Sequence, residues 1–251
     1  MRHHLVFAAL LITTAAHSAR AQTVTTADGR DLGYFAVSGV YQPNSSSVQD
    51  TLTRPSFAET ETVTSTYTGS SARGFDLTGG VTLRRNVAVG VAVTRFARSK
   101  LATVSASIPH PFFFNRPRQI AGATAVVHRE TAVHIHAAWI PPLEGPWYVL
   151  VFGGPSIFNV RQGLVTDVVA NDPYPYDAPT FASASAEEQS HSGVGGHVGA
   201  DVSFMFLQNV GVGVGVRLSR ATLTFTDAVG QSLKIDAGGA EVGVGLRLWF
   251  R

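Results

Sequence analysis

The sequence contains no cysteine among its 251 residues. Disulfide bonds, thiol nucleophiles and thiolate metal sites are therefore excluded. Charged residues are also scarce, at 14 %, whereas a soluble domain usually carries about a quarter. Beyond residue 21, no apolar run approaches the roughly 20 residues that a membrane-spanning helix needs. The low charge indicates a surface that does not face water everywhere, and a helical membrane protein is excluded.

Residues 1–21 predict a signal peptide. Arg2 belongs to a basic start, residues 5–12 form a short apolar core, and residues 19–21 fit the small-x-small cleavage rule. An N-terminal anchor helix is the alternative. Removing the segment takes away two of the 19 Lys and Arg residues and none of the 17 Asp and Glu residues. The remaining chain is close to neutral, which argues against nucleic-acid binding, where a basic excess is expected.

Apolar residues alternate with polar or small residues along most of the chain. Between Ala240 and Phe250 the even positions are apolar, and residues 197–207 and 210–218 repeat the pattern. Successive side chains of a strand point to opposite faces, so alternation of this kind predicts strands. The pattern predicts eight strands, near residues 33–42, 72–84, 87–98, 120–140, 147–162, 191–207, 209–226 and 233–250.

The predicted connections alternate between tight turns and long loops. The tight turns lie at 85–86, 141–146 and 208–209, the long loops at 43–71, 99–119 and 163–190, and a short loop at 227–232. Outer-membrane barrels combine short periplasmic turns with long outer loops. We therefore expect a short periplasmic segment over 22–32 and an eight-stranded antiparallel up-and-down transmembrane β-barrel over 33–251.

The Ser- and Thr-rich stretch 44–71 has two interpretations. It is either a flexible outer loop or an extension of the barrel wall, in which residues 57–63 lengthen the second strand above the membrane.

A soluble lipocalin-like binding barrel is the main alternative, because it also has eight alternating strands. In that fold the apolar face of the last two strands would line the cavity, and their opposite face would meet water. Here that face is rich in glycine: Gly211, Gly213, Gly215, Gly243 and Gly245. A water-facing strand of glycines would pair poorly, whereas inside a narrow barrel glycine makes room for large neighbours. Trp139, Tyr148 and Phe250 at strand ends fit an interfacial aromatic girdle, so the membrane barrel is favoured.

The chain ends in Leu246-Arg247-Leu248-Trp249-Phe250-Arg251, an alternating strand that finishes in an aromatic residue and adds one arginine. In this, and in its architecture over residues 30–251, it resembles the small outer-membrane β-barrel proteins of Gram-negative bacteria, the OmpA-type transmembrane domain and its relatives. The resemblance implies an outer-membrane location, contact with outer-membrane lipid, and recognition by the outer-membrane assembly machinery during insertion.

The predicted lumen face carries charges of both signs. Its polar members are Asp76, Thr78, Thr82, Arg84, His134, His136, Asp201, Ser203, Arg217, Glu241 and Arg247. Isolated buried charges are costly, so these groups are expected to pair, with Glu241 pairing with Arg217 or Arg247 across the lumen. The network is either a structural plug, since eight strands enclose a lumen that side chains fill, or a narrow gated channel.

Two sets of residues have the side-chain types of a metal site or a catalytic site but not the spacing. His128, Glu130, His134 and His136 share one strand face, but Glu130 lies roughly 13 Å from His134 at the usual strand rise. A zinc site needs at least three protein ligands, and the third is not identifiable. Residues 187–192 contain Glu, Ser and His in a polar loop without the register that acyl hydrolysis requires. We therefore expect no catalytic residue, no metal and no cofactor.

Two outer segments carry exposed aromatic candidates. Residues 112–114 are three phenylalanines beside Arg116 and Arg118, and residues 172–177 are acidic and tyrosine-rich. The phenylalanines either pack on the tyrosines over the barrel mouth or touch lipid or a partner. Arg116 or Arg118 is expected to meet Asp172 or Asp177. The contact candidates are Phe112, Phe113, Phe114, Arg116, Tyr174 and Tyr176.

These features predict a structural or narrow-channel outer-membrane protein without catalysis. The alternative is a surface adhesin or binding barrel that acts through loops 99–119 and 163–190, with an extracellular ligand as partner.

Overall fold

A computed structural model describes residues 32–250, apart from 44–46, 69–70, 85 and 229. The predicted signal peptide, residues 22–31 and Arg251 lie outside the described residues. The strands are β1 (Gly33–Gln42), β2 (Val48–Ser56), β3 (Glu59–Tyr67), β4 (Ala72–Arg84), β5 (Val87–Ile108), β6 (Arg118–Trp139), β7 (Trp147–Asn171), β8 (Thr180–Met205), β9 (Val210–Thr226) and β10 (Ser232–Phe250). No helix in the described ranges is long and apolar enough to cross a membrane.

Eight of the ten strands form a closed antiparallel ring. Around the ring the order is β1, β4, β5, β6, β7, β8, β9, β10 and back to β1. The closing pair runs from Gly33 opposite Phe250 to Tyr41 opposite Val242. The prediction of an eight-stranded antiparallel up-and-down β-barrel is confirmed. The start of β1 at Gly33 and the end of β10 at Phe250 both lie on the side of the short turns.

The other two strands form a hairpin that raises one side of the wall. β2 pairs with β3, and β3 pairs with the outer part of β5, where Thr62 faces Ser107 and Tyr67 faces Ala102. Because β3 continues the position of β4 in the wall, the strand-extending interpretation of 44–71 is the correct one for its described residues.

Most of the two other long loops is strand, which corrects the sequence prediction. β5 and β6 stay paired out to Ile108 and Arg118, and β7 and β8 stay paired out to Asn171 and Thr180. Only residues 109–117 and 172–179 connect them. The alternation in these extensions is weak because small residues occupy both faces, while the few large inward residues pack in a core, as Leu164 does.

The wall has an outward apolar belt on the half nearest the short turns. Large apolar side chains such as Val214, Val244 and Ile135 are exposed there, while Arg217 and Arg247 on the opposite face are buried. The belt comprises the outward side chains of 33–41, 75–83, 87–93, 133–139, 147–157, 194–206, 210–218 and 240–250. These lengths are close to the roughly 9–11 residues of a tilted transmembrane strand.

Candidate functional site: the barrel lumen and its outer rim

The lumen begins with an aromatic floor at the short-turn end. The Trp249 ring lies 5.3 Å from the Tyr34 ring and 4.5 Å from the Tyr148 ring. Ala88, Ala138, Leu150 and Met205 complete this buried cluster. Tyr148 was predicted to belong to an outer aromatic girdle, but its side chain packs inside the barrel on Trp249. Trp139 and Phe250 do point outward.

An ion-paired layer centred on Arg217 lies above the floor. Its Nη1 donates to Asp76 Oδ2 and Glu241 Oε1, each at 2.8 Å, and to Thr94 Oγ1 at 2.7 Å. Asp76 also accepts hydrogen bonds from Thr78 and Thr94, both at 2.7 Å. All three charged side chains are more than nine-tenths buried. Both buried carboxylates therefore share the one guanidinium as their charged partner.

A second ion pair crosses one strand. Arg247 of β10 donates to Asp201 of β8 through Nε at 3.0 Å and through Nη2, and its Nη1 donates to Ser38 Oγ at 2.8 Å. β9 lies between these strands and presents glycine there. A Cβ at Gly213 would stand 2.9 Å from Arg247 Nε, and one at Gly215 would stand 2.9 Å from Asp201 Oδ2. The inward glycines of β9 thus leave the space in which this pair forms.

Two expectations differ in detail from the structure. Glu241 pairs with Arg217, one of its two expected partners, but not across the lumen. Glu241 and Arg217 are register partners on neighbouring strands, so the contact that spans the lumen is the one from Arg217 to Asp76. Arg84 lies outside the network because a bulge between Thr82 and Arg84 shifts the register, and its side chain is exposed.

Histidines from two strands meet beside the ionic layer. Ser156 Oγ lies 2.7 Å from His134 Nδ1 and 2.9 Å from His197 Nδ1. His136 Nε2 lies 2.8 Å from the Tyr34 hydroxyl. Neither His197 nor Ser156 was among the sequence candidates. Alternation placed His197 on the lumen face, but only the strand register could bring it to His134.

Among the described residues, this histidine cluster lacks the orienting acid of a Ser-His-acid triad. Ser156 is 1 % exposed, and in the described part of the chain no carboxylate hydrogen-bonds to His134 or His197. A Ser–His pair without an orienting acid and without access to substrate lacks the geometry of acyl transfer. Within the same residues, no group of three His, Asp or Glu side chains is placed to hold a metal ion.

A second polar layer and an apolar core fill the outer half. His128 Nδ1 lies 2.7 Å from Gln162 Oε1, and its Nε2 lies 3.2 Å from Arg98 Nη2. Glu130 accepts the Gly238 amide at 3.0 Å. Farther out lies the largest buried cluster, whose bulkiest members are Tyr67, Phe158, Leu164, Leu223, Phe225 and Ile235. Between the floor and the ionic layer a cavity of about 60 Å³ remains, which is room for a few water molecules.

The outer rim is organised by Arg118. Its Nη1 donates to both Asp172 oxygens, at 2.6 and 2.7 Å, and to the Tyr176 carbonyl, while its Nη2 donates to the Pro109 carbonyl at 2.9 Å. The expected contact between the two loops is therefore formed by Arg118 with Asp172. His110 is buried beneath, and its Nδ1 accepts the Phe112 amide at 3.1 Å.

The aromatic residues of the rim are only partly packed. The Phe112 ring lies 5.6 Å from the Tyr176 ring, and the Tyr176 ring lies 5.9 Å from Tyr174. The Arg116 guanidinium lies over the Phe113 ring at 5.3 Å. Even so, Phe112 and Phe114 are 69 % and 70 % exposed, and Tyr174 is 84 % exposed. The rim thus presents an ordered aromatic surface to solvent.

Asp50 of the hairpin gives a pH-dependent prediction. Burial, together with the nearby Asp227 carboxylate, raises its pKa above the ordinary 3.8, and its Oδ2 has no hydrogen-bond partner. An acid whose pKa is raised by folding costs stability when ionised, so the cost is present at neutral pH and disappears below about pH 4. Asp50→Asn should therefore stabilise the hairpin at pH 7 by about 1 kcal/mol. Limited proteolysis within 48–67 would measure this, and an advantage that persists at pH 3 would contradict it.

Comparisons with known proteins are weak. No protein-family model and no curated protein matches the chain. Among solved structures it is similar to Neisserial surface protein A (12 % identity, TM-score 0.43, 87 % of this chain and 97 % of that one). It is also similar to the outer membrane protein OprG from Pseudomonas aeruginosa (13 % identity, TM-score 0.45, 89 % of this chain and 98 % of that one). A third similar structure is Ail, the attachment invasion locus protein of Yersinia pestis (10 % identity, TM-score 0.37, 86 % of this chain and 99 % of that one). Such values carry no conclusion about role. The strand pairing and the outward apolar belt of the chain itself give it the fold of a small outer-membrane β-barrel.

Proposed function

We propose that this chain is an outer-membrane β-barrel with a structural role, a closed lumen and no catalysis. The observation that carries the proposal is the filling of the lumen. The Arg217 ion-paired layer lies between the aromatic floor and the outer apolar core, and the cavity next to it is about 60 Å³. An ion entering it would have to separate buried pairs, which is costly.

The placement in the membrane is supported by the direction of the apolar face. In a soluble lipocalin-like barrel the apolar side chains line the interior and the outer face is polar. Here the large apolar side chains of the belt point outward, while charged side chains such as Arg217 and Asp76 are buried inside. Lipid is the environment that such a surface favours. The proposed partners are accordingly outer-membrane lipid and, during insertion, the outer-membrane assembly machinery.

Fractionation of cells that express the full chain tests this placement. We expect the protein in the outer-membrane fraction and in the detergent phase, with a faster gel mobility before boiling than after it, because a closed barrel resists detergent unfolding. A protein found only in the soluble periplasmic fraction would overturn the proposal. A narrow gated channel is the remaining alternative for the lumen, and Glu241→Ala tests it in planar bilayers: unchanged conductance and stability exclude a gating role.

A second candidate function, surface binding through the outer rim, is favoured by the exposed aromatic residues on an ordered support. Arg118 and His110 fix the loop that carries Phe112, Phe113 and Phe114, so this surface is preorganised for contact with an extracellular ligand.

Replacing the three phenylalanines by serine tests the second candidate. If the rim binds a ligand, attachment of expressing cells to surfaces coated with extracellular-matrix protein should fall about tenfold, since aromatic anchors commonly carry such contacts. The matched control is Leu143→Ser, which removes an exposed apolar side chain at a short turn on the opposite end. Equal attachment by wild type and the triple variant, with the heat-modifiable barrel intact, would contradict a binding role for the rim.

A further inference from the structure

Four arginines form an arc on the outer wall. Arg73 of β4, Arg95 of β5, Arg129 of β6 and Arg161 of β7 are all exposed, and all lie at or just above the outer edge of the apolar belt. We name these four residues the arginine arc.

The strand register brings the members of the arc close together. Arg129 and Arg161 are direct partners, which places their Cβ atoms roughly 4.5–5.5 Å apart. Arg95 faces Thr131, two residues from Arg129, and Arg73 faces Ala97, two residues from Arg95. Diagonal neighbours of this kind have Cβ atoms roughly 7–8 Å apart. The arc is therefore a continuous row of positive charge across four strands.

Within the described residues, the arginine arc forms no ion pair. None of its four arginines lies within salt-bridge distance of a carboxylate. The nearest acidic side chain on β8 is Glu188, which faces Gly163 and so lies diagonally above Arg161 without pairing with it. Like charges placed directly opposite each other destabilise a strand pair. An anion bound from outside the chain would relieve this repulsion.

On the opposite side of the barrel, the arginine at the edge of the apolar belt is paired with an acidic side chain. Arg220 of β9 lies at the same edge of the belt, is 79 % exposed in its side chain, and pairs with Asp236 Oδ2 at 3.1 Å. Thr222 also donates to Asp236 at 2.8 Å. On this side of the barrel, the arginine at the edge of the belt is thus paired with an acid.

We propose that the arginine arc binds the phosphate groups of lipid in the outer leaflet, and this rests on the proposed membrane placement. A guanidinium offers paired donors that match a phosphate in bidentate geometry. Phe75 and Val93 lie directly below Arg73 and Arg95, and Ile157 lies below Arg161 with Asn159 between them. A lipid whose phosphate lies on the arc therefore has its acyl chains on the apolar belt. A free phosphate ion would contact only the arginine arc and not the apolar belt below it.

Lipid retention by the full chain in nonionic detergent, measured by native mass spectrometry, tests the proposal. The probes are a bisphosphorylated glycolipid, its dephosphorylated form, and inorganic phosphate. We expect the dephosphorylated lipid to be retained about tenfold less, and Arg129→Gln/Arg161→Gln to weaken retention of the phosphorylated lipid by about the same factor. Arg220→Gln, the matched control, should leave retention unchanged.

Thermal stability gives a second readout that a merely structural role would not move. In lipid-free nonionic detergent, Arg161→Gln should melt at a higher temperature than the wild type because the substitution relieves repulsion. With the phosphorylated lipid present, the variant should melt at a lower temperature than the wild type. Equal retention of both lipids, an Arg220→Gln effect as large as that of the double variant, or displacement by equimolar inorganic phosphate would overturn the proposal. Heat-modifiable mobility of the same samples separates this failure from failure of the membrane placement.

Discussion

Replacement of Arg217 by methionine is expected to destabilise the barrel by about 3–5 kcal/mol, the usual cost of breaking a buried charge pair from one side. Among the described residues, Arg217 alone forms ion pairs with both Asp76 of β4 and Glu241 of β10, and both carboxylates are buried. Without the guanidinium, two negative charges would face each other in the lumen. Urea unfolding of the refolded protein in lipid vesicles measures the loss.

Two further variants show whether charge or packing causes that loss. Arg220→Met removes an exposed arginine from an ion pair and should change stability by no more than about 1 kcal/mol. Adding Asp76→Asn and Glu241→Gln to Arg217→Met should recover much of the stability, because neutral side chains carry less desolvation cost. If Arg217→Met unfolds at the same urea concentration as the wild type, the ion-paired layer does not hold the lumen together.

The second large effect is expected at the seam where the ring closes. Gly245 of β10 faces Ser38 of β1, and a Cβ added there would collide with the Val37 carbonyl oxygen and stand 2.6 Å from the Ser38 Cα. Backbone cannot yield as a flexible side chain can. Gly245→Ala should therefore cost about 1–3 kcal/mol and lower the fraction of protein that reaches the heat-modifiable form.

Gly39 provides the matched control on the same seam. A Cβ there meets only the Val244 carbonyl oxygen, at 4.0 Å, which is an ordinary contact. Gly39→Ala should fold as well as the wild type. Equal refolding yields for Gly245→Ala and Gly39→Ala would show that the seam tolerates a side chain and would contradict the close approach.

The faces of the strands could be predicted because alternation with period two is local. Val242, Val244 and Leu246 needed only their own neighbours in sequence to be placed on the outer face. The bulge near Thr82 has no such signal, and it turned Arg84 away from the lumen where alternation had placed it.

The pairing of the lumen residues could not be predicted, because it depends on register between distant strands. Asp201 meets Arg247 only because glycines of β9 leave space between them, and Ser156 meets His197 through the pairing of β7 with β8. The residues of the network were identifiable from their side of the strand, whereas their partners were not. Likewise, the outer strand extensions were mistaken for loops because small residues obscure their alternation.

Liposome swelling with the purified, refolded protein tests the closed lumen most directly. Insertion is first established in the same vesicles by heat-modifiable mobility. We then predict that vesicles containing the barrel swell in isosmotic solutions of small sugars no faster than vesicles without protein. The reason is that the aromatic floor, the ion-paired layer of Arg217 and the outer apolar core fill the lumen. Swelling that increases in proportion to the amount of inserted protein would contradict a closed barrel.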